Sequence, residues 1–165
     1  MVASGRQSSA RVELHRRKQK FTSLLSAVDQ ASKDNLDTYV AAHLARYLVL
    51  CLCGDVEQSV QTLIHHYAKS HSDVRVSHYV GKTFRQGQNY NTEKLLQTVQ
   101  ALDPDWRREI LAKFSDELRA FDSIYSIRNQ VAHGGDVGVS LGGTQQYFTD
   151  IWKVLDHLTD MFEAS

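Results

Sequence analysis

Nine consecutive residues near the end of the chain read Ile127-Arg128-Asn129-Gln130-Val131-Ala132-His133-Gly134-Gly135. They begin as the end of a predicted helix and stop on two glycines. At about 3.6 residues per turn, Ile124, Ile127 and Val131 fall on one side of this helix. The polar residues of the opposite side are Asp122, Ser126, Asn129 and His133. The division predicts a helix that packs inward through one side and presents hydrogen-bonding groups on the other. Gly134 supplies the left-handed conformation that ends many helices, which places His133 in the last turn.

The rest of the chain reads as further helices, because apolar residues recur at helical spacing between capping signals. The capping and start signals are Asp34-Asn35, Asp73, Asp103-Pro104 with a bend near Ser115, and Thr144 before the last helix. Residues 47–53 are apolar on every side and also fit a buried strand, but the helical spacing on both flanks favours a helix, which Gly54 can divide in two. The sequence therefore predicts an all-α fold, a compact antiparallel helical bundle with additional short helices.

The length and composition indicate a globular protein without an overall bias of charge. The 165 residues are most simply one domain at positions 10–165, after a small, polar and disordered segment at positions 1–9. With 19 basic and 19 acidic residues, any affinity for nucleic acid has to come from a local patch. No apolar run reaches the roughly 20 residues that span a bilayer, and no apolar segment follows the charged N-terminus. We therefore expect a cytoplasmic protein with no membrane contact.

The first predicted helix carries a dense basic stretch that includes Arg16, Arg17 and Lys20. Such runs are usually solvated helix faces, and the competing interpretation is that these side chains bind the phosphates of RNA. Arg46 lies close to the predicted core on the second helix and is a further candidate for RNA binding. Arg46 and Glu57 also have a structural interpretation, since charged groups near a core are nearly always paired.

Three other patterns in the sequence fail the requirements of the chemistry that they suggest. Residues 138–142 have the spacing of a serine-hydrolase nucleophile turn, but such a turn needs a strand before it and a sheet beneath it. Gly81-Lys82-Thr83 ends like a phosphate loop, but Val76 stands where the first glycine of that loop is required. No two of the eight histidines are four residues apart, and Cys51 and Cys53 do not complete a zinc site. We therefore expect no metal and no cofactor.

The run RNQVAHGG, from Arg128 to Gly135, places four residues between an arginine and a histidine and resembles the signature motif of the HEPN superfamily. With the pattern from Leu118 through Phe121 and Ile124, it is most similar to the RiboL-PSP-HEPN family, and the resemblance covers residues from about 10 to 163. Members of the superfamily are small, mostly all-helical domains, and many are metal-independent endoribonucleases. The resemblance thus implies a HEPN-like bundle that binds and cleaves RNA.

Cleavage of RNA without a metal uses the 2′-hydroxyl beside the scissile phosphate as the nucleophile, and it requires a proton-transfer group and a cation. By the resemblance, His133 transfers the proton and Arg128 stabilises the charged phosphorane. Asn129 lies one turn before His133 and is expected to orient it or to bind a phosphate oxygen. The implied products are a 2′,3′-cyclic phosphate and a 5′-hydroxyl. The structural alternative is that Arg128 pairs with a core carboxylate and that His133 bonds to carbonyls at the helix end.

Arg128 and His133 lie about 140° apart around a straight helix, so one chain does not point both into one cleft unless the last turn unwinds or the arginine wraps round. Family members often pair across two such motifs, and the resemblance therefore implies a homodimer with a composite site. It also implies a toxin or defence role, with an antitoxin or an associated defence protein as a partner. The alternative is a non-catalytic RNA-binding or assembly module. The form that partners a nucleotidyltransferase usually has a tyrosine where this chain has Gly135.

Overall fold

The computed structural model describes residues 9–34, 36–84 and 87–165. Its helices, in chain order, are α1 (Ser9–Lys33), α2 (Thr38–His71), α3 (Val74–Thr83), α4 (Thr92–Gln100), α5 (Pro104–Phe114), α6 (Arg119–Ala132) and α7 (Leu141–Ala164). No strand occurs within the described ranges, and the predicted all-α fold is confirmed. Of the segment predicted to be disordered, residues 1–8 lie outside the described residues, and Ser9 already begins α1.

The long helix α2 lies at the centre of the fold and packs against α1, α3, α6 and α7. Leu48, Val49 and Leu52 are fully buried on it, so residues 47–53 are helix and not strand. The helix also continues through Gly54 without a break. Packing on several sides offsets the roughly 1 kcal/mol that a glycine costs inside a helix.

By length and composition alone α2 would be able to cross a membrane, contrary to the expectation that no segment is long and apolar enough. In the fold many of its apolar side chains are buried against the surrounding helices, although Tyr39, Val40, Tyr47 and Leu50 are exposed. Arg46, Asp55 and Glu57 also lie along its length. This arrangement is that of a core helix in a helical bundle, where burial against other helices accounts for the apolar composition.

Capping residues set the ends of the helices, and two of them differ from the predicted ones. Asp73 and Asp103 cap α3 and α5 as predicted, each accepting a hydrogen bond from the backbone N–H two residues later. Asp37, not Asp34, caps α2, and Asn35 lies outside the described residues. Ser140, not Thr144, caps α7, since its hydroxyl accepts from the Gly143 N–H at 3.0 Å. The predicted bend near residue 115 is a turn that separates α5 from α6.

The helix α6 packs its apolar side into the core and leaves its polar side facing outward. Phe121, Ile124 and Ile127 are buried, and α6 packs against α2 and α7. The Cys53 thiol of α2 lies 3.5 Å from the Ile124 carbonyl oxygen, while further along α6 the chain returns to the level of Arg46. The two helices therefore run antiparallel, and the predicted amphipathic helix is present.

Candidate active site

The end of α6 is a glycine-capped turn that fixes the path of the chain beyond His133. His133 is the C-cap residue, one position past the last helical turn in which it was predicted. The Gly134 N–H donates to the Val131 carbonyl at 3.0 Å, and the Gly135 N–H donates to the Gln130 carbonyl at 2.8 Å. This pair of bonds is the Schellman arrangement, which satisfies carbonyls that the helix itself leaves unpaired.

Both glycines of this cap are required by its geometry. Gly134 has a φ of 75°, in the left-handed region that costs other residues roughly 1–2 kcal/mol. A Cβ on Gly135 would lie 2.9 Å from the Gln130 carbonyl oxygen, which is too close for the two atoms. Because glycine N–H groups satisfy the terminal carbonyls, the cap does not use the imidazole of His133. The structural alternative for this histidine therefore does not apply.

Arg128, Asn129 and His133, three of the four polar side chains of the motif, have no bonded partner among the described residues. Arg128 and Asn129 are half-buried and His133 is exposed. Within the described residues, none of the three side chains makes a hydrogen bond or an ion pair. Their donors and acceptors are therefore free to bind a ligand.

Several other polar side chains of the same helix are bonded. Gln130 donates to the Ser126 hydroxyl at 3.1 Å, and Ser123 donates to the carbonyl of Arg119. The Asp122 carboxylate accepts the backbone N–H of Thr92 at 2.9 Å and thereby ties the start of α4 to α6. Several polar groups of α6 other than Arg128, Asn129 and His133 therefore have structural tasks.

The guanidinium of Arg128 lies on the side of α6 that faces α2. Burial raises the pKa of the Cys53 thiol to about 12, and the positive charge of Arg128 opposes that rise. Burial likewise raises the pKa of the Glu57 carboxyl, and Arg128 again acts in the opposite direction. The positive charge of Arg128 acts on the pKa of Glu57, but the two side chains form no ion pair. The carboxylate therefore partly compensates the positive potential at Arg128 and leaves the hydrogen-bond donors of Arg128 unoccupied.

Arg46 ties the loop after the motif to α2, as its structural interpretation anticipates. Its Nε donates to the Val137 carbonyl at 2.7 Å, and its guanidinium also pairs with the carboxylate of Asp136. The Arg46 side chain is 18% exposed and that of Asp136 is 87% exposed. Arg46 is thus a neighbour of the motif that holds the backbone next to His133. Its predicted contact with RNA stays a prediction.

The basic stretch of α1 lies on the other side of α2 from the motif. Arg17 is 4.0 Å from Asp55 and Arg128 is close to Glu57, and these two carboxylates are about 160° apart around the α2 axis. Arg17 also bonds to Glu13 at 3.0 Å, whereas Arg16 and Lys20 form no ion pair with any described residue. In one copy of the chain, α1 and the motif do not form a continuous basic surface.

A groove that was not predicted from the sequence lies beside the motif. The loop of residues 87–91, α4 and Tyr125 line it, and Tyr125 is one helical turn before Asn129 on α6. A Cβ on Gly87 would lie 3.2 Å from Glu57 Oε2, so the loop reaches the carboxylate that faces Arg128. The amides of Gln88, Asn89 and Asn91 are visible in the sequence, but asparagine is common in turns, so they do not by themselves predict a groove.

The backbone of α6 directs Arg128 and His133 away from each other. The His133 N–H still donates to the Asn129 carbonyl at 3.1 Å, so the backbone keeps its helical path up to the cap. The two side chains therefore leave α6 about 140° apart, and the last turn is not unwound. Among the described residues, no group of three or more histidine, cysteine, aspartate or glutamate side chains is placed to hold a metal ion.

The comparison with family models gives one match that spans most of the chain. The model described as RiboL-PSP-HEPN matches residues 13–164, a range that includes α2, the motif and α7. No curated protein and no solved structure matches significantly. Domains of the HEPN superfamily are associated with RNA and are often ribonucleases. The family match agrees with the all-α fold and with the resemblance of the RNQVAHGG run, and the chain belongs to the RiboL-PSP-HEPN family of the HEPN superfamily.

Proposed function

We propose that this protein is a metal-independent endoribonuclease with Arg128, Asn129 and His133 in its active site. The observation that carries the proposal is that these three side chains have no partner among the described residues, while polar groups elsewhere on α6 do. A half-buried arginine and an exposed histidine with free donors match what a phosphodiester needs. A structural role would leave them bonded to the chain.

The proposed reaction is an internal transfer of the phosphoryl group. The 2′-oxygen attacks the adjacent phosphorus while the bond from phosphorus to the 5′-oxygen breaks. A base removes the proton of the 2′-hydroxyl, and an acid gives a proton to the departing 5′-oxygen, so the products are a 2′,3′-cyclic phosphate and a 5′-hydroxyl. His133 performs one of these proton transfers, Arg128 stabilises the charge that develops on the phosphate oxygens, and Asn129 orients either partner.

The separation of Arg128 and His133 around α6 favours a site that two copies of the chain share. In a symmetric dimer the arginine of one protomer would face the histidine of the other, and the two-fold axis would create two equal sites. This homodimer, together with a toxin or defence role and a restraining partner, belongs to the proposal.

The test is cleavage of single-stranded RNA in the presence of a chelator by wild type, His133→Ala and Arg128→Ala. Each substitution should lower the rate by about two to four orders of magnitude, as expected when a proton-transfer group or a charge-stabilising donor is removed. Sizing and circular dichroism check that the variants remain folded. Equal cleavage by all three proteins would contradict the proposal.

Mixing the two variants tests the shared site directly. A mixed dimer of Arg128→Ala and His133→Ala contains one site with an intact arginine and an intact histidine. After subunit exchange, half of the dimers in an equal mixture would be mixed, and each would carry one working site of two. The mixture should therefore recover about a quarter of the wild-type rate. No recovery from a mixture that does exchange subunits would place both residues of each site in one chain. RNA binding without cleavage by wild type would favour the non-catalytic module.

A further inference from the structure

The groove beside the motif adjoins a larger cavity. The groove encloses about 460 Å³ between loop 87–91, α4 and Tyr125. The cavity encloses about 550 Å³ between α2, α3 and α4. Gln88, Lys94 and Gln97 line both, so the groove and the cavity adjoin at these three side chains. The groove reaches Tyr125, one turn from Arg128 and Asn129, and the cavity lies beneath α3.

Most of the cavity wall is apolar, although His71, Ser72 and Thr98 also line it, and the side that adjoins the groove is polar. Ile64, Val80, Phe84 and Leu102 are among the side chains that line the interior. At the junction with the groove stand two amides, Gln88 and Gln97, and the ammonium group of Lys94. This volume is within the range of small-ligand sites, which are mostly apolar with a few polar groups that fix orientation.

The polar groups at the junction have hydrogen-bonding capacity left over. Lys94 forms no ion pair with any described residue. Gln97 donates to Glu93 at 2.9 Å through its amide nitrogen, which leaves its amide oxygen available as an acceptor. An amide side chain can both donate and accept, and this combination matches the edge of a nucleobase.

The outer wall of the cavity is a helix with few attachments. In the described part of the chain α3 packs against α2 and against no other helix. Val76 lines the cavity and is 49% exposed, and Val74, on the same helix but outside the cavity lining, is 74% exposed. The cavity is therefore open to solvent and can be reached without unfolding the core.

We propose that this cavity binds a nucleobase of the RNA substrate and that Lys94 binds the phosphate that connects this base to the scissile phosphate at Arg128. Single-stranded RNA is typically recognised with bases turned out of the stack, their faces against apolar or aromatic side chains and their edges bonded to polar groups. Apolar walls with amides at the mouth provide both kinds of contact. The inference rests on the proposed function, because it takes RNA as the ligand that binds at the end of α6. Binding of the base in the cavity would make the enzyme selective for a base near the cleavage site.

The experiment measures binding of fully 2′-O-methylated tetranucleotides, which lack the nucleophilic hydroxyl and are not cleaved. Four probes carry A, C, G or U at one varied position and are compared on the wild-type protein by fluorescence anisotropy. We expect affinities that differ at least about tenfold between the best and the worst base, as one good set of edge contacts provides. Gln97→Ala should flatten this difference, and Lys94→Ala should weaken all four probes by a similar factor.

Filling the cavity provides a test that does not remove a polar group. Val76→Trp should fill the cavity from its rim and lower the affinity for the preferred base to that for the others. Val74→Trp is the matched control, because it adds the same side chain to the same helix outside the cavity, and it should retain the preference. Equal binding of all four bases by wild type, or equal effects of the two tryptophans, would overturn the inference.

The two proposals fail separately. Base-selective binding without His133-dependent cleavage would support the cavity as a base-binding site and refute catalysis. His133-dependent cleavage without base selectivity in either binding or cut sites would support the enzyme and refute this role for the cavity.

Discussion

Two carboxylates that lie two residues apart in α2 each face an arginine, and the two arginines differ in what else they do. Asp55 faces Arg17 of α1, which is also bonded to Glu13 at 3.0 Å. Glu57 faces Arg128 of α6, which has no hydrogen bond or ion pair within the described residues. In both cases burial raises the pKa of the carboxyl and the arginine opposes that rise.

The difference separates a cation that stabilises the fold from one that is available to a ligand. The α1 helix has the denser positive charge in sequence, but Arg11 and Lys18 bond to carboxylates of α7. Lys18, for example, bonds to Asp156 at 2.6 Å and lies over the ring of Trp152. Arg16 and Lys20 form no ion pair with any described residue, but they are exposed, whereas the unpaired Arg128 is half-buried. Charge density alone would favour α1 as the RNA-binding region. The state of the donors favours the end of α6.

The largest predicted effect is the loss of kcat/KM in Arg128→Ala, which is measured beside the loss in Arg17→Ala. Arg128→Ala should lower kcat/KM for RNA cleavage by about 10²–10³, the usual cost of removing one donor to a developing charge. Arg17→Ala should lower it by less than about threefold, since a partly exposed ion pair contributes little beyond stability. Steady-state cleavage of a labelled oligonucleotide measures both. A loss of similar size in the two variants would show that the bonding of an arginine within the chain does not distinguish a structural arginine from a catalytic one.

The second prediction concerns the turn that directs the chain away from His133. Gly134→Ala forces an alanine to a φ of 75°, at a cost of roughly 1–2 kcal/mol, which should lower Tm by about 2–8 °C. Gly138→Ala is the control, since a Cβ there meets no atom within 4 Å. Differential scanning fluorimetry distinguishes them. A Tm for Gly134→Ala equal to that of the control would mean that the cap contributes nothing to α6.

Much of the fold was accessible from sequence because its signals are local. Apolar spacing identified the helices, the Asp103-Pro104 pair identified the start of α5, and Gly134 identified the end of α6. Errors arose where two local signals compete within a few residues. Ser140 and Thr144 are both good capping residues, and only the packing of α7 determines that the earlier one is used.

The site was only partly accessible, because its neighbours come from distant parts of the chain. Spacing identified Arg128, Asn129 and His133, since they lie within six residues of each other. Arg46 and Glu57 were recognised as charges near the core, but their partners, Val137 and the loop at Gly87, are far away in sequence. Helical periodicity predicts which side of α2 a residue occupies and does not predict which helix covers that side.

The third prediction tests whether the motif depends on the backbone that follows it. Arg46→Ala removes the bond to the Val137 carbonyl and the pair with Asp136, and should release the loop and lower kcat/KM by roughly tenfold through misplacement of His133. Asp136→Asn removes the ion pair with the exposed carboxylate and keeps the bond to the Val137 carbonyl, so it should lower kcat/KM by less than about threefold. Hydrogen exchange at residues 136–139 should rise in the first variant alone. Unchanged exchange in Arg46→Ala would mean that other contacts hold the loop.

The smallest predicted effect concerns Glu57. Its raised pKa means that the cost of burying its charge exceeds the attraction of Arg128. For an acid whose pKa is higher in the folded than in the unfolded state, stability falls as pH rises from the unfolded pKa through the folded one, and the full cost remains above that window.

Glu57→Gln removes this cost and should therefore raise Tm at pH 7 slightly, by no more than about 2 °C, and should leave it unchanged near pH 3.5, below the ordinary glutamate pKa of about 4.3. Thermal denaturation at the two pH values measures the difference. The same substitution removes the negative charge that partly compensates the positive potential at Arg128. The 2′-O-methylated probes should therefore bind more tightly to Glu57→Gln than to wild type at pH 7. A lower Tm at pH 7 together with weaker binding would instead mean that Glu57 holds Arg128 in place, and Arg128 would then resemble Arg17.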